Sequence, residues 1–197
     1  NSPFTNSPFT NSPFTNSLFT IAMSHPLIDL AREAIRCFLA TGEYLDVSGM
    51  AGDGPACGLF VSLHDPPRPG EVEGDLRGCR GSVHPYEPTL YAEVVQEAVN
   101  SAVDDPRCPS IEPEEVDDID ITVYLLKPCE EVQGLDELDP ARYGILVEGE
   151  SGRRALLLPG IPGIESAEEQ LFLTRRKAYL HPDEPATIYR FEADVLR

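Results

Sequence analysis

The sequence predicts an α+β fold, a single domain in which a largely antiparallel sheet is flanked by helices. Apolar residues recur at helical spacing in two long segments, which begin near residues 26 and 90. Short apolar runs typical of strands lie between and after these segments, and turn-forming connections join two pairs of them as hairpins. The chain has 197 residues, which is enough for one domain of ordinary size.

Residues 1–20 repeat a pentamer, three copies of N-S-P-F-T followed by N-S-L-F-T. A period of five residues fits neither a helix nor a strand. Burying a phenylalanine stabilises by about 2 kcal/mol, whereas ordering each backbone residue costs about 1–2 kcal/mol. We therefore expect residues 1–22 to be a disordered tail and residues 23–197 to form the domain. Because Met23 directly precedes the domain, the repeat is open to interpretation as an upstream extension.

The first helix is predicted to begin at Pro26, with Ser24 as its cap, and to end before Gly42. Its apolar stripe consists of Leu27, Leu30, Ala31, Ala34, Ile35 and Phe38. A glycine-rich loop follows. Residues 58–63 are then predicted to pair as a hairpin with residues 76–81, across an exposed connection rich in proline and glycine.

The clearest helix follows Pro88 and ends before Asp105. Its apolar stripe consists of Leu90, Tyr91, Val94, Val95, Ala98, Val99 and Ala102. A short acidic turn of helix is expected at residues 112–115. A strand with one buried face is predicted next. Its alternating apolar residues are Ile119, Ile121, Val123 and Leu125.

The last third of the chain predicts a second hairpin, a third helix and a final strand. The hairpin pairs residues 145–147 with residues 155–158 across a glycine-containing turn. A capping box at Ser166-x-x-Glu169 precedes the helix, which ends at Tyr179. Residues 187–195 are predicted as one continuous strand.

The charge of the chain is strongly acidic. The net charge is −19, and Lys127 and Lys177 are the only lysines among 15 basic residues. Such a surface repels nucleic acid and anionic membranes, so neither is an expected partner. Salt would screen the self-repulsion, so the composition fits a salt-rich cytoplasm. A GC-rich genome is the alternative, but it explains the scarcity of lysine and not the acidic excess.

The five cysteines are odd in number and widely spaced, and they form no C-x-x-C pair and no zinc-ligand pattern. No metal site is therefore predicted, and the residues specify no cofactor. There is no apolar run long enough to span a bilayer and no secretory signal. We expect a cytoplasmic protein with reduced thiols.

Residues 76–81 read L-R-G-C-R-G and form the candidate site. Glycine allows close backbone approaches, Arg77 and Arg80 carry forks that suit carboxylate or phosphate, and Cys79 is the nearby nucleophile. One interpretation is a Cys79 thiolate favoured by the two arginines, with His64 or His84 as candidate partners. The other is a small buried hydrophobic residue.

The pattern L-R-G-C-x-G resembles the signature of the AMMECR-type domain family, which is named after a human chromosomal-deletion syndrome. Further similar blocks follow in the family's order, and the likeness covers residues 25–196. They are D-P-R-C-P at 105–109, Y-G-I-L-V at 143–147, R-R-A-L-L-L-P at 153–159, R-K-A at 176–178 and Y-R-F at 189–191. The resemblance implies a two-lobed α+β domain with the signature near a cleft. It also implies dioxygenase-like or radical-SAM proteins as partners.

Three residues depart from the family's pattern: Arg80 stands for isoleucine, Cys108 for an aromatic residue and Gly160 for glutamine. The basic residues inside the similar blocks either gather into an anion-binding island or pair with carboxylates. The candidate ligand-binding residues are Arg77, Gly78, Arg80, Gly81, Arg107, Arg154 and Lys177. The sequence favours a protein that binds an anionic small molecule or a partner in this cleft. The alternative is an enzyme, or an enzyme subunit, with Cys79 as nucleophile assisted by Arg77.

Overall fold

The structure is a computed structural model and describes residues 25–197. The predictions for the tail over residues 1–22, for Met23 and for Ser24 lie outside these residues. Within the described range the helices are α1 (Pro26–Thr41), α2 (Leu90–Val103) and α3 (Ala167–Lys177). The strands are β1 (Leu59–His64), β2 (Leu76–Ser82), β3 (Asp120–Leu126), β4 (Glu130–Val132), β5 (Gly144–Gly149), β6 (Arg154–Leu157), β7 (Ala186–Phe191) and β8 (Ala193–Leu196). Two short 3₁₀ turns, Pro113–Glu115 and Leu135–Glu137, complete the description.

Helix α1 begins and ends close to the predicted positions, and His25 caps its first turn. The His25 side chain accepts a hydrogen bond from the Leu27 N–H at 3.2 Å. At the other end Gly42 adopts φ 76°, a left-handed conformation that glycine adopts without strain, and its N–H bonds to the Phe38 carbonyl. The apolar stripe between them is buried against α2 and the sheet, as the helical spacing predicts.

The strands form two four-stranded antiparallel sheets rather than one sheet. Sheet A has the order β2-β1-β3-β8 and sheet B the order β4-β7-β5-β6. Helices α1 and α2 pack on sheet A and form the first lobe, while α3 packs on sheet B and forms the second. The predicted α+β class of a single domain is therefore confirmed.

The prediction of one strand over residues 187–195 is wrong, because this segment crosses between the sheets. β7 pairs with β4 and β5 in sheet B, and after Glu192 the chain enters sheet A as β8. The Glu192 carbonyl accepts a hydrogen bond from the Lys127 N–H at 2.8 Å, within the crossing from β3 to β4. That short strand β4 was not predicted, since its three residues carry no clear alternation. The two lobes are thus joined by two adjacent crossings.

Sheet A is buried on both faces, but with different chemistry. The inner face packs on the helices through Leu59, Val61 and Leu63, each 0% exposed. The opposite face, here called the outer face, carries the polar side chains Ser62 and Thr122, which are 4% and 5% exposed. The expectation that β3 has only one buried face is therefore wrong at Thr122. A sheet with polar residues buried on one face is the feature that positions the candidate site.

Candidate functional site

The edge of β2 is closed by two side chains from the loop after α2. Oδ2 of Asp105 accepts a hydrogen bond from the Cys79 N–H at 2.8 Å, and Nη2 of Arg107 donates to the Cys79 carbonyl oxygen at 3.2 Å. The two side chains also bind each other, with Arg107 Nη2 2.6 Å from Asp105 Oδ2. These bonds from Arg107 hold the pKa of the buried Asp105 carboxyl well below its usual range. Asp105 and Arg107 thus satisfy the backbone N–H and carbonyl groups of Cys79 at the edge of β2, as a neighbouring strand would.

The two glycines of the signature have a packing explanation. A Cβ atom at Gly78 would lie 1.9 Å from the Ser101 carbonyl oxygen of α2, and one at Gly81 would lie 2.2 Å from the Leu59 carbonyl oxygen. No side chain fits at such distances, so β2 approaches α2 and β1 this closely because both residues are glycine. Their contact with a ligand stays a prediction.

Both arginines of the signature bind carboxylates of the same chain. Arg77 places Nη1 2.8 Å from Asp65 Oδ1 and Nη2 2.8 Å from Glu115 Oε1, and its side chain is only 16% exposed. Arg80 lies 3.3 Å from Asp104 at the end of α2. Of the two alternatives left open by the sequence, ion pairing is the one observed for these arginines. The Arg77 fork has little capacity left for an external anion.

The hypothesis of a Cys79 thiolate favoured by Arg77 and Arg80 stays a prediction, although both arginines form ion pairs with carboxylates. Burial raises the pKa of the Cys79 thiol, and the opposing effects come from the Ser62 hydroxyl and the charges of Arg107 and Lys177. Burial therefore works against the thiolate, which is the nucleophilic form of a cysteine.

Neither candidate histidine hydrogen-bonds to this thiol. His84 is exposed in the loop after β2, and His64 lies beside Glu73, with 3.6 Å between Nε2 and Oε2. Among residues 25–197 there is no hydrogen bond from a histidine to Cys79, and no group of three or more His, Cys, Asp or Glu side chains is arranged to hold a metal ion. The pairing of Cys79 with His64 or His84 therefore finds no support among residues 25–197.

Lys177 brings a cation from the second lobe to the Cys79 face. Its ammonium group donates to the Leu156 carbonyl oxygen at 3.1 Å. Desolvation and the positive charge of Arg107 lower the pKa of Lys177, while the charges of Cys79 and Asp105 oppose the shift. Two cations from opposite lobes, Arg107 and Lys177, therefore act on the same thiol. Repulsion between two nearby cations raises their electrostatic energy, and a bound anion lowers that energy.

Arg154 is not part of this group. It begins β6 opposite Glu148 and is exposed, and no described contact joins it to Cys79, Arg107 or Lys177. The structure thus brings two of the predicted site residues, Arg107 and Lys177, near the Cys79 thiol and gives Arg77 and Arg80 carboxylate partners.

Sequence reasoning missed the polar residues that continue from Cys79 across sheet A. Cys79 pairs in register with Ser62 on β1, and Ser62 pairs with Thr122 on β3. Further along the outer face, burial raises the pKa of Tyr124, and the charges of Glu73, Arg197 and Cys79 act on the same hydroxyl. The only sequence signal was a serine and a threonine inside otherwise apolar strands. Such residues are also common in ordinary strands, so the signal is weak.

Two cavities within residues 25–197 are lined by residues outside the 76–81 segment. One of about 320 Å³ is lined by His64, Glu73, Thr122 and Arg197 on the outer face, among other residues. Another of about 620 Å³ lies between the loop after α1 and the start of α2, bordered by Tyr44 and Gln96. No helix within residues 25–197 has the length and apolar character needed to cross a bilayer.

Comparison with known proteins places these features in a family. The model of the AMMECR1 family matches residues 28–196. A protein from Thermotoga maritima is 36% identical over 174 residues, which covers 86% of this chain and 96% of that protein. Protein CA_C1420 of Clostridium acetobutylicum is 34% identical over 84% of this chain, but the match covers only 34% of its own length.

The fold also has a relative among solved structures. The crystal structure of the uncharacterized protein PH0010 from Pyrococcus horikoshii matches with a TM-score of 0.75 and 34% sequence identity. The match covers 86% of this chain and 88% of that chain.

Proposed function

This chain belongs to the AMMECR1 family, and on that premise we propose that it is a binding protein that recognises an anion at Cys79. The anion is held between Arg107 of the first lobe and Lys177 of the second. It is either a small molecule or an acidic group of a partner protein. No covalent step at Cys79 is part of this proposal.

The proposal rests on the one observation that Lys177, unlike most arginines of the chain, has no carboxylate partner among residues 25–197. In this acid-rich chain most arginines bind carboxylates, but the Lys177 ammonium has no carboxylate partner among residues 25–197 and donates only to a carbonyl. It lies close enough to Arg107 for like-charge repulsion to act on its pKa. Asp105 compensates the charge of Arg107, so the charge without a counterion at this place is that of Lys177, and burying such a charge is costly. A bound anion supplies the counterion and gains hydrogen bonds to both residues.

The enzyme alternative has weaker support. A Cys79 nucleophile needs a thiolate, and burial disfavours the thiolate. An anion bound to Arg107 and Lys177 would disfavour it further, because it neutralises the charges that oppose the shift. Binding and nucleophilic activation therefore compete at this site, and the geometry favours binding.

Thermal denaturation with sodium pyrophosphate as probe tests the proposal. Ionic strength is held constant with sodium chloride, because general screening alone would stabilise a chain of net charge −19. Wild-type protein should show a saturable rise in melting temperature. Lys177→Gln should reduce the affinity for pyrophosphate about tenfold, the effect of losing one charge-assisted hydrogen bond.

Arg154→Gln is the matched control, since it removes a second-lobe cation that has no described contact with Cys79. It should bind pyrophosphate as the wild type does. Equal responses of the two variants, or no response of the wild type beyond that of chloride, would refute the anion site.

A further inference from the structure

The cavity of about 320 Å³ on the outer face of sheet A holds opposite charges that do not neutralise each other. Arg197 and Asp120 both line it. Among residues 25–197, neither of them forms an ion pair. Arg197 interacts with Tyr124, and Asp120 lies on β3 opposite His64 in register.

The cavity also exposes hydrogen-bonding groups of side chains that are otherwise buried. Thr122 is 5% exposed and His64 is 9% exposed. Thr122 and His64 both line the cavity, and a threonine hydroxyl can donate as well as accept hydrogen bonds. A buried hydroxyl without a partner costs roughly 1–3 kcal/mol unless water or a ligand satisfies it. The polar floor of the cavity is therefore suited to a ligand that both donates and accepts hydrogen bonds.

The rest of the lining consists of aliphatic residues and Arg32, whose guanidinium already donates to the Val116 and Ile119 carbonyl oxygens. The aliphatic residues form the apolar part of the wall. Ile28, Val72 and Ile121 line it, and Val72 is 92% exposed despite being apolar. A volume of about 320 Å³ is at the lower end for small-molecule sites. The size fits a molecule of amino-acid dimensions with a short apolar side chain.

We propose that this cavity binds a small zwitterion, a free α-amino acid with an aliphatic side chain. Arg197 faces its carboxylate, Asp120 and Glu73 face its ammonium group, and the aliphatic wall contacts its side chain. Because groups of both charges line the cavity, a ligand that carries both charges can interact with both. The site is separate from the anion site at Cys79 and does not depend on it.

Thermal denaturation with three probes tests the charge requirement: L-leucine, isoamylamine, which lacks the carboxylate, and 4-methylpentanoate, which lacks the ammonium group. Leucine should raise the melting temperature saturably. The two singly charged analogues should bind at least about tenfold more weakly, because each leaves one charged group of the cavity without its partner. An equal response to leucine and to either analogue would overturn the proposal, as would no response to leucine.

Two substitutions test the location. Asp120→Asn should weaken leucine binding at least about tenfold. Asp118→Asn, the same change at an exposed position outside the cavity lining, should leave binding unchanged. Thr122→Val provides an isosteric test of the cavity floor and should also weaken leucine binding. Lys177→Gln should not affect it. Leucine binding that survives both Asp120→Asn and Thr122→Val would overturn the assignment to this cavity.

Discussion

Replacing Asp105 with alanine removes the carboxylate that closes the edge of β2 at Cys79. The carboxylate accepts the Cys79 N–H at 2.8 Å and the Arg107 N–H at 3.0 Å, and its side chain is 2% exposed. Alanine cannot accept a hydrogen bond with its side chain, so both donors lose their partner. Asparagine keeps one oxygen acceptor but loses the charge that binds the Arg107 guanidinium.

The expected cost follows from which groups can be rehydrated. A buried donor without a partner costs roughly 1–3 kcal/mol, and Asp105→Ala leaves two such backbone groups. The Arg107 side chain is 55% exposed, so its charge regains water and adds little. We expect Asp105→Ala to lower the free energy of unfolding by about 2–4 kcal/mol, and Asp105→Asn by about 1–2 kcal/mol.

Urea denaturation at pH 7 measures these differences, and Asp104→Ala is the matched control. Asp104 is the adjacent residue, and its side chain is 69% exposed at 3.3 Å from Arg80. An exposed ion pair of this kind contributes little, so Asp104→Ala should cost less than about 0.5 kcal/mol. If the alanine variants at 104 and 105 lose the same stability, the closure of the β2 edge is not what stabilises this region.

The pH dependence gives a second measurement on the same residue. The pKa of Asp105 is lowered in the folded state, so its contribution is complete above the unfolded value of about 3.9. That contribution is lost as pH falls toward the lower folded pKa. The stability difference between wild type and Asp105→Asn should therefore shrink as pH falls below about 4. A difference that is constant from pH 7 to pH 3 would contradict the ionised contact.

Four further outcomes are expected. Gly78→Ala should cost more than about 3 kcal/mol in urea denaturation, because its Cβ would lie 1.9 Å from a helix carbonyl. Gly54→Ala, where no atom lies within 4 Å, should be nearly neutral. Desolvation raises the pKa of buried Glu97 in the folded state, so ionisation of this carboxyl destabilises the fold as pH rises above the unfolded value of about 4.3. Glu97→Gln should therefore raise the free energy of unfolding at pH 7 but not at pH 4. Equal effects at the two pH values would contradict this. Iodoacetamide labelling followed by peptide mapping should leave Cys79 unlabelled at pH 7 until urea unfolds the chain. Rapid labelling of Cys79 in the folded protein would support the nucleophile hypothesis. Potassium chloride near 1 M should raise the melting temperature by screening the net charge of −19, and a flat response would argue against salt adaptation.

The sequence by itself determined the elements whose signals are local. The helical spacing of apolar residues identified α1 and α2, because a helix with one buried face must repeat every 3.6 residues. The prolines and glycines between residues 65 and 74 marked the connection of the β1–β2 hairpin. The Ser166 cap at the start of α3 was also predicted, and the structure shows its hydroxyl accepting the Glu169 N–H at 3.1 Å.

Sheet membership was decided only by the tertiary structure. Residues 187–195 alternate without interruption, and alternation reports which side chains share a face but not which strand lies alongside. The split at Glu192 depends on the Lys127 N–H, a partner 65 positions earlier in the chain. No local pattern contains that contact.

The site shows the same division. The sequence singled out Cys79 as the cysteine of the L-R-G-C-R-G segment, and Arg107 and Lys177 as basic residues inside blocks that resemble the family's. It could not tell that Arg77 would bind Asp65 and Glu115, since three distant segments meet there. The ionisation of Cys79 was likewise undetermined, because a pKa depends on burial and on charges through space. Composition limits which charges are available, and only the fold decides which of them face one another.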